Sequence, residues 1–433
     1  CPSNSTEIVT HGDMARIFAT IYSFLTVEEI RSPENIELCH EISMKSLKNR
    51  KWGQIFFDIG YILSRSKNSS AILNGNIIPM ACDILALFQG RPVMKRESKN
   101  HIEYENPDYT AFFHAILVIY QFADHIANCV KSLEDTTPEM KKDISIAVIK
   151  YVLQFLLKLE NNEYPGLIDE FVDIHLDDNK KITTELTEGS VIQSYSIDKE
   201  KVSFLHPIHS FLSWLIEHTD FNSPAELKNT FLLDQDSMPC LPNMQLKPLL
   251  PSNVPTTIFE YSIRTIVLMS QIKSGFWVRN GFSVRSQLQL YKNTGLRESG
   301  YLRDMFLSQV FISTYSPNLV CVMLFNRWLI MEGFMDKNQD NEAIYDNQTL
   351  PYMIEECINT LIHLSCEDLH LRNLSNEEIS DTRVRMEILH NICFGPTNYT
   401  KLCMLIPDHI SCDKKFDIIL EELTTFTSPT GST

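Results

Sequence analysis

Apolar residues recur every three or four positions along most of this chain, which is the spacing of an amphipathic helix. The first stripe lies in residues 13–25 and the second in residues 52–63. A third, in residues 113–126, is apolar around most of its surface, which predicts a central helix. Four more apolar segments continue the pattern, at residues 144–159, 208–215, 258–272 and 305–325. The predicted fold class is mostly α, and because no 34- or 40-residue repeat is visible, we expect an irregular helical scaffold rather than a regular solenoid.

Two segments depart from the helical pattern. Residues 181–204 (KITTELTEGSVIQSYSIDKEKVSF) place Glu188 and Gly189 between two short runs rich in Thr, Val, Ile and Ser, which predicts a small β-hairpin. Residues 220–255 hold many prolines, which lack a backbone donor and predict a linker or an ordered wrapping loop. These are Pro224, Pro239, Pro242, Pro248, Pro251 and Pro255.

The C-terminal segment predicts three short helices. Residues 383–393 form the first, Gly395 and Pro396 end it, Thr397 caps a second helix through Leu405, and Asp413 caps a third over residues 416–423. Thr-, Ser- and Gly-rich residues follow as if a β-wing began there, which is the plan of a truncated winged helix. The predicted domains are a helical scaffold over 1–219, the linker 220–255, the scaffold continued over 256–380, and a winged-helix-like domain over 381–433.

Composition narrows the possible functions. The chain holds 38 Lys and Arg against 55 Asp and Glu, a net charge of −17, which argues against a general binder of nucleic acid or anionic membranes. From Asp381 onward there are seven acidic and five basic residues, so the winged helix is expected to be structural or to bind protein rather than DNA. The longest apolar stretch, residues 111–123, is too short to cross a bilayer. Only 14 glycines occur, which disfavours glycine-rich phosphate loops.

Cysteine usage and the first residue also carry information. The 11 cysteines are scattered, unlike the dense even sets of disulfide-rich secreted domains, and we expect reduced core thiols. The chain starts at Cys1 without an initiator Met, which indicates a piece of a longer protein. We expect it in the cytoplasm, with the nucleus as a further compartment.

Charge is unevenly distributed along the chain. Residues 332–382 hold twelve acidic and two basic residues, whereas residues 273–304 hold six basic residues against Glu298 and Asp304. Those six are Lys273, Arg279, Arg285, Lys292, Arg297 and Arg303. We hypothesise that these acidic and basic surfaces dock partners or one another, although a charge run is more often a solvated face.

Signatures of common enzymes and zinc modules are absent from the sequence, which has no Walker loop, HExxH, GxSxG, dinucleotide fingerprint or Cys-x-x-Cys. The best metal-like set is His363, Cys366 and His370, at positions i, i+3 and i+7 of one helical face. Apolar neighbours make a packed helix the favoured interpretation of that set. No catalytic, cofactor-binding or metal-binding residue is therefore predicted.

Two other sets of polar residues receive structural interpretations. His206 and His209 flank Pro207, which favours a helix start over a metal site. An acidic run around His175 lacks the glycine and the spacing of a calcium loop and is interpreted as solvated surface. Its members are Asp169, Glu170, Asp173, Asp177 and Asp178.

Three stretches resemble the middle region of UBR-family N-recognins of fungal type, which are RING-type E3 ubiquitin ligases that read N-terminal degrons. They are QGRPVMKRESKNHIEYEN (89–106), VSFLHPIHSFLSWL (202–215) and GFWVRNGFSVRSQLQLY with RDMFLSQVF (275–311). The last is the most specific, because it combines Trp277, Arg279, Asn280 and Gly281. RMEILHNICFGPTNYTKLCMLIP, near the C-terminus, resembles the winged-helix segment of the family. The first 85 or so residues carry less of the likeness.

The resemblance implies a scaffold between substrate recognition and ubiquitin transfer. The ligase would bind destabilising N-terminal residues through a zinc-bearing UBR box and a ClpS-like module, and recruit a ubiquitin-conjugating E2 enzyme through a RING. None of these modules lies in this chain, so no cofactor is expected here and zinc is expected outside it. The implied partners are the E2, ubiquitin and N-degron substrates bound by other domains.

Three alternatives stay open from the sequence alone. One is a free-standing helical adaptor with a protein-binding winged helix. Another is a metalloenzyme built on His363, Cys366 and His370. The last is a winged helix that binds nucleic acid, which would show salt-sensitive DNA affinity.

Overall fold

The structure is a computed structural model that describes a defined part of the chain. The described residues are 11–26, 42–49, 52–63, 77–91, 94–97, 102–105, 107–133, 136–160, 181–182, 192–193, 195–233, 252–253, 257–277, 282–330, 344–366, 376–393 and 395–427. The chain divides into two compact units, Cys1–Ser365 and Cys366–Thr433. The boundary that we predicted between residues 380 and 381 lies inside a helix of the second unit.

The described part of the first unit is built almost entirely of helices. In chain order they are α1 (His11–Leu25), α2 (Met44–Lys48), α3 (Trp52–Leu63), α4 (Ile77–Ala86), α5 (Pro107–Lys131), α6 (Pro138–Glu160), α7 (Pro207–His218), α8 (Pro224–Thr230), α9 (Thr257–Ser274), α10 (Phe282–Asn293), a π-helical turn (Arg297–Tyr301), α11 (Leu302–Thr314), α12 (Pro317–Arg327) and α13 (Thr349–Cys366). The mostly α fold class is confirmed.

Proline marks the start of many of these helices. Proline suits a first helical position, where its fixed φ is already helical and its missing N–H has no partner to lose. Ser223 and Ser316 complete two of these starts, because their side chains accept the backbone N–H groups of Glu226 and Leu319. The helices that begin with proline are α5, α6, α7, α8 and α12.

Two sequence predictions need correction for the same reason. The apolar run 305–325 is not one segment, since α11 ends at Thr314 and Pro317 starts α12. The proline-rich range 220–255 is not wholly a linker or a wrapping loop, since Pro224 starts α8 within it. Strand β5 (Leu232–Leu233) also pairs antiparallel with β6 (Ser252–Asn253), so two stretches of the predicted linker meet.

Short antiparallel pairs are the β-structure seen in the described residues. β1 (Met94–Glu97) pairs with β2 (Ile102–Glu105), with Met94 opposite Glu105, and was not predicted. The hairpin predicted over 181–204 is not seen at that extent: β3 (Lys181–Ile182) and β4 (Ile192–Gln193) pair over two residues each. Residues 197–200 form a turn and residues 201–206 no strand, because the chain there is already packing into the helical core.

Helix α5 is central to the first unit, as its apolar surface predicts. It packs against α3 and α7, and also contacts α2, α4 and α6. Its residues Ile116, Ile119, Ala123 and Ile126 are fully buried. Among the described residues, no helix is long and apolar enough to cross a membrane.

The second unit has a core of its own. Its described helices are α14 (Asn376–Ile392), α15 (Tyr399–Leu405), α16 (Asp408–Ser411) and α17 (Phe416–Leu423). Buried apolar side chains join them, among them Val384, Ile388, Leu402, Ile406, Phe416 and Ile419.

The helix starts in the second unit differ in detail from the prediction. Asn398 rather than Thr397 caps α15, because its Oδ1 accepts the N–H of Lys401 at 2.7 Å. Asp413 does not cap α17 directly; it accepts the N–H of Lys415, the residue before that helix, at 2.9 Å.

The cysteines are less uniform than we expected. Cys82, Cys129 and Cys357 are buried free thiols, as predicted. Four others are free but exposed, so the interpretation as core thiols is wrong for Cys321, Cys366, Cys393 and Cys412.

Candidate functional site

Gln89 lies between two buried histidines at the centre of the first unit. It follows α4, whereas His206 and His209 lie at the start of α7. The Gln89 Nε2 atom is 3.2 Å from His206 Nδ1 and 2.9 Å from His209 Nδ1, and Gln89 Oε1 accepts the N–H of Ile208 at 3.0 Å. One amide therefore ties α4 to the first turn of α7.

This arrangement assigns the protons of both imidazoles. An amide nitrogen can only donate, so both Nδ1 atoms act as acceptors and the ring protons lie on Nε2. His206 Nε2 then donates to the carbonyl of Ser203 at 3.0 Å. A metal ion at Nδ1 of either histidine would have to displace Gln89, so the sequence interpretation of His206 and His209 as structural agrees with the geometry.

Burial keeps both histidines neutral. It lowers the pKa of His206 to about 3, with Arg264 adding to the lowering and the hydrogen bond to Ser203 opposing it. Burial lowers the pKa of His209 well below its ordinary value, and the nearby His206 and Arg264 act in the same direction. The backbone of Ile258 partly opposes this lowering for His209. Neither imidazole is poised to exchange protons near neutral pH.

The same network extends to α5 and α9 through the segment before α7. Gly90 N–H donates to the carbonyl of Leu205 at 2.7 Å, and Ser203 Oγ donates to the carbonyl of Arg91. Tyr120 on α5 donates to the carbonyl of Phe204 and accepts the N–H of His206, both at 3.2 Å. Thr265 on α9 donates to the carbonyl of Ser203 at 2.9 Å.

The third family-like stretch reaches this centre through Tyr291 and Asp304. The Tyr291 ring lies 5.2 Å from that of Phe204, and its hydroxyl donates to Asp304 Oδ2. Burial raises the pKa of Asp304 to about 7, and the hydrogen bond from Tyr291 opposes this rise. The three stretches that carry the resemblance thus meet in one buried centre.

A buried ion cluster lies on α9 and α12. Glu260 Oε2 is 3.3 Å from Arg264 Nη2 and 2.5 Å from Arg327 Nη2, and all three side chains are at most 1% exposed. The Arg264 guanidinium lies 3.7 Å from the ring centre of Tyr195, a cation–π contact. Burial alone raises the pKa of Glu260, but Arg327 and Arg264 outweigh it, and the net pKa is lowered.

Trp277 of the proposed family signature is also buried and bonded. Its Nε1 donates to Gln271 Oε1 at 3.1 Å, and Gln271 Nε2 donates to the hydroxyl of Tyr345 at 2.9 Å. The remaining signature residues, Arg279, Asn280 and Gly281, lie outside the described residues.

The buried polar side chains of this centre stabilise the fold, and they are not accessible to a substrate in solvent. Gln89, His206, His209, Glu260 and Asp304 are each at most 3% exposed. A buried, hydrogen-bonded polar network fixes one packing arrangement, because any other arrangement leaves desolvated groups without partners. The centre therefore serves as a rigid junction of α4, α5, α7 and α9.

The interpretation of His363, Cys366 and His370 as one face of a packed helix is wrong for the two residues that the structure describes. His363 and Cys366 lie on α13 and are exposed, so they are not part of a packed face. His370 and the acidic run 169–178 lie outside the described residues. Within the described part of the chain, no three His, Cys, Asp or Glu side chains are grouped to hold a metal ion. The absence of a cofactor stays a prediction.

The predicted basic surface is not one continuous patch. Arg303 is buried and bonded to Glu217, with its guanidinium 5.8 Å from the Trp214 ring. Asp304 is buried too, whereas Lys273 and Arg285 are exposed. Successive residues of a helix are rotated by about 100° around its axis, so basic residues close in sequence lie on different faces, which a count of charges along the chain cannot show.

Part of the acidic segment lies near the basic one. Glu356 on α13 accepts a hydrogen bond from Ser270 on α9 at 3.3 Å. Burial lowers the pKa of Lys292 to about 8, Lys273 adds to the lowering, and Glu356 opposes it. The two charged segments are therefore near one another at this point within the first unit.

Sequence reasoning missed Gln89, Glu260 and Asp304 as central residues. The sequence contains a sign of their burial, because each is a polar residue beside apolar ones. Glu260 follows Ile258 and Phe259, and Asp304 precedes Met305 and Phe306. Such residues are buried only when they are paired.

Comparison with known protein families supplies the identity. The model described as "UBR1/2/3-like ARM repeat domain" matches residues 1–360. This chain belongs to the UBR1/2/3-like family. Residues 383–433 match "E3 ubiquitin-protein ligase UBR1-like, winged-helix domain", which confirms the winged helix predicted at the C-terminus. The family match also includes the first 85 or so residues, where the resemblance was less distinctive.

The ARM-repeat description was not predicted. The family domain is named for a repeat of helices, yet the sequence shows no fixed period. Unequal helix lengths account for this, since α8 has 7 residues and α5 has 25.

Individual relatives agree with the family assignment. The chain is 24% identical over 453 residues to E3 ubiquitin-protein ligase UBR2 of Saccharomyces cerevisiae, covering 100% of this chain and 23% of that protein. It is 23% identical over 448 residues to UBR1 of the same yeast, covering 100% and 20%. Human UBR1 is 27% identical over 176 residues, covering 40% and 10%. The chain thus spans about a fifth of the two yeast proteins.

Proposed function

We propose that this chain is the scaffold segment of an E3 ubiquitin-protein ligase of the N-degron pathway. In this role it holds the modules that bind substrate at a workable distance from the RING and the E2. It contributes stiffness and geometry rather than a reactive group.

The buried junction around Gln89 is the observation that carries the proposal. Residues 89, 120, 206 and 209 are joined by direct hydrogen bonds, and Thr265 joins them through the carbonyl of Ser203, which His206 also contacts. These residues come from four separate helical regions. The Glu260 cluster adds α12 to the same body. Because these groups are sealed from solvent, they suit a rigid frame and not a catalytic site.

Geometry alone contributes substantially to a transfer reaction. Holding two reactants in a productive arrangement removes entropy from the barrier, an effect worth about 7–11 kcal/mol in the best intramolecular cases. A ligase frame that keeps a substrate lysine near an E2-bound ubiquitin would use part of this effect.

The whole ligase, rather than this segment, would hold the other components. On this proposal the UBR box, the ClpS-like module and the RING, with their zinc ions, lie in other parts of the protein. The partners are the E2, ubiquitin and N-degron substrates, in the cytoplasm and the nucleus. Nucleic acid and membranes are not partners.

A reconstituted reaction tests the proposal. The isolated 433-residue chain is mixed with E1, E2, ATP, ubiquitin and a reporter with a destabilising N-terminus, in parallel with the full-length ligase. We expect modified reporter only with the full-length protein. Ubiquitination of the reporter by the isolated chain would overturn the scaffold role.

Three arginines of the segment 273–304 test whether the scaffold docks other components through charge. In the full-length ligase, Arg279, Arg285 and Arg297 are changed together to Glu. We expect a lower ubiquitination rate and an altered dependence of that rate on salt. An unchanged rate with an unchanged salt dependence would show that these arginines do not dock other components.

A further inference from the structure

Helix α13 carries a second apolar face beside the one that packs into the core. Met353, Cys357 and Leu364 form the packed face and are at most 2% exposed. Every fourth residue of the neighbouring face is also apolar: Leu350, Ile354, Ile358 and Ile362. Ile358 is 50% exposed and Ile362 is 51% exposed. These apolar side chains follow one another along one face, and contiguous exposed apolar patches, unlike single exposed residues, mark interaction sites.

This second face forms a shallow groove. It has a volume of about 410 Å³ and is lined by Leu350, Pro351, Ile354, Glu355, Ile358 and Asn359. The stripe from Leu350 to Ile362 spans twelve helical steps, or about 18 Å at 1.5 Å per residue. That length matches about three turns of a helix lying along it.

The Lys, Arg, Asp and Glu side chains of α13 and of the turn before it are all acidic. Glu355 is exposed and lines the groove itself. Asp346, before the helix, is exposed and accepts the N–H groups of Gln348 and Thr349 at 3.0 and 2.7 Å, which lower its pKa. Residues 344–366 contain no Lys or Arg. The side of the groove that α13 supplies is therefore apolar with an anionic edge at Glu355, and we call this edge the rim.

The rim decides which occupant fits. A second copy of this chain, laid face to face, would bring Glu355 against Glu355, and like charges in an interface are unfavourable. A helix with apolar residues at i, i+3, i+4 and i+7 fills such a groove, and Lys or Arg beside that stripe complements the rim.

We propose that the exposed face of α13 docks an amphipathic helix of a partner protein that carries Lys or Arg beside its apolar stripe. The inference is independent of the proposed function, because any helical scaffold of this structure would present the same face.

Binding of two synthetic helices tests the proposal. Both are 18-residue peptides with the same leucine stripe; one carries Lys beside the stripe and the other carries Glu. Their fluorescence anisotropy is measured with the 433-residue chain at low and high salt. We expect the Lys peptide to bind at least about tenfold more tightly than the Glu peptide, with a preference that shrinks as salt is added.

Matched variants locate the binding site. Ile358→Lys should weaken binding of the Lys peptide by about tenfold or more, and Glu355→Lys should reduce the preference for the Lys peptide. Ile418→Lys is the control, because Ile418 is 59% exposed on α17 in the other unit and the same substitution there should change nothing. Both isoleucines are more than one-third exposed, so the chain should stay folded, which circular dichroism checks.

Three results would overturn the proposal. One is equal binding of the two peptides, which would show that the acidic rim does not select a basic helix. Another is unchanged binding by the Ile358→Lys variant, which would show that the peptide binds at a different surface. The last is a dimer of the unliganded chain in sedimentation that Ile358→Lys dissociates, which would make a second copy the occupant.

Discussion

Gln89 and His209 are 120 residues apart in the sequence, yet Gln89 Nε2 lies 2.9 Å from His209 Nδ1 inside the core. The same nitrogen lies 3.2 Å from His206 Nδ1, so a single side chain joins the end of α4 to the start of α7. Because none of these groups reaches solvent, the stability of the frame depends directly on this contact.

Replacing Gln89 should therefore destabilise the first unit. Gln89→Leu leaves two imidazole nitrogens and the N–H of Ile208 without their partner, and each such group costs about 1–3 kcal/mol when buried. We expect the free energy of unfolding in urea to fall by about 3 kcal/mol or more.

An exposed glutamine provides the control for that experiment. Gln289 accepts a hydrogen bond from Asn293 at 2.8 Å on the surface of α10, and Gln289→Leu should change stability by no more than about 0.5 kcal/mol. Equal effects of the two substitutions would show that the Gln89 contacts do not hold the core.

The neutral histidines predict a specific pH dependence. The pKa of His209 in the folded chain lies well below its ordinary value, so unfolding takes up a proton at any pH below about 6.5. Stability then falls as pH falls, by about 1.4 kcal/mol per pH unit for each such histidine until the folded pKa is reached. His206 adds a similar decrease down to about pH 3.

Comparison with a variant isolates the His209 contribution. His209→Gln removes that proton uptake, so the stability difference between the original chain and the variant should shrink by about 2 kcal/mol between pH 7 and pH 5. Asp304 acts in the opposite sense, because its raised pKa of about 7 gives stability that is lost as pH rises toward 7. Asp304 is present in both chains and cancels. A difference that stays constant with pH would mean that His209 is charged in the fold.

Much of this fold could be predicted from the sequence, because the position of a helix is set by residues close to it in the chain. Residues 13–25 and 52–63 repeat apolar positions at helical spacing, and Pro207 favours a helix start, so the positions of these helices depend on nearby residues alone. The pairing of Gln89 with His206 and His209 depends instead on tertiary packing of segments more than 100 residues apart. No local signal in the sequence specifies that pairing.

The same limit explains the charged surfaces. Arg303 and Arg285 are equally basic in a count along the chain, but Arg303 is buried against Glu217 and Arg285 is exposed. The side of the helix decides which of them solvent or a partner can reach. Predicted docking surfaces thus need the helix orientations that only the structure supplies.

The ion cluster on α9 and α12 predicts a large effect from a small substitution. Glu260→Gln keeps the shape of the side chain but removes the negative charge that Arg264 and Arg327 share. Removing one partner of a buried ion pair costs about 3–5 kcal/mol. Urea unfolding should show a loss of this size.

Glu298→Gln is the surface counterpart. Glu298 is 2.9 Å from Arg297 but 68% exposed, and exposed pairs contribute about 1 kcal/mol at most. If Glu260→Gln were as mild as Glu298→Gln, the cluster would not stabilise the frame.

Two glycines of α3 predict opposite effects from the same substitution. A Cβ at Gly60 would clash with the His125 ring on α5, whereas a Cβ at Gly53 meets nothing within 4 Å. We expect Gly60→Ala to lower stability by about 1–3 kcal/mol. Gly53→Ala should raise stability by about 0.5–1 kcal/mol, since alanine favours the helix.

A double variant checks the cause of the Gly60 effect. Replacing His125 with Ala in the Gly60→Ala background removes the ring that the new Cβ meets, so the added cost of Gly60→Ala should largely disappear. A cost that persists would assign the effect to something other than the contact between α3 and α5.

The central claim is that this region acts through rigidity and supplies no reactive group. The most direct measurement follows ubiquitin discharge from a charged E2 in a single turnover, using the full-length ligase with Glu260→Gln and at a temperature where unfolding curves show the variant folded. We predict slower transfer to an N-degron substrate, with unchanged affinity for the degron peptide and unchanged discharge to free lysine. Loss of discharge to free lysine in the folded variant would contradict the account.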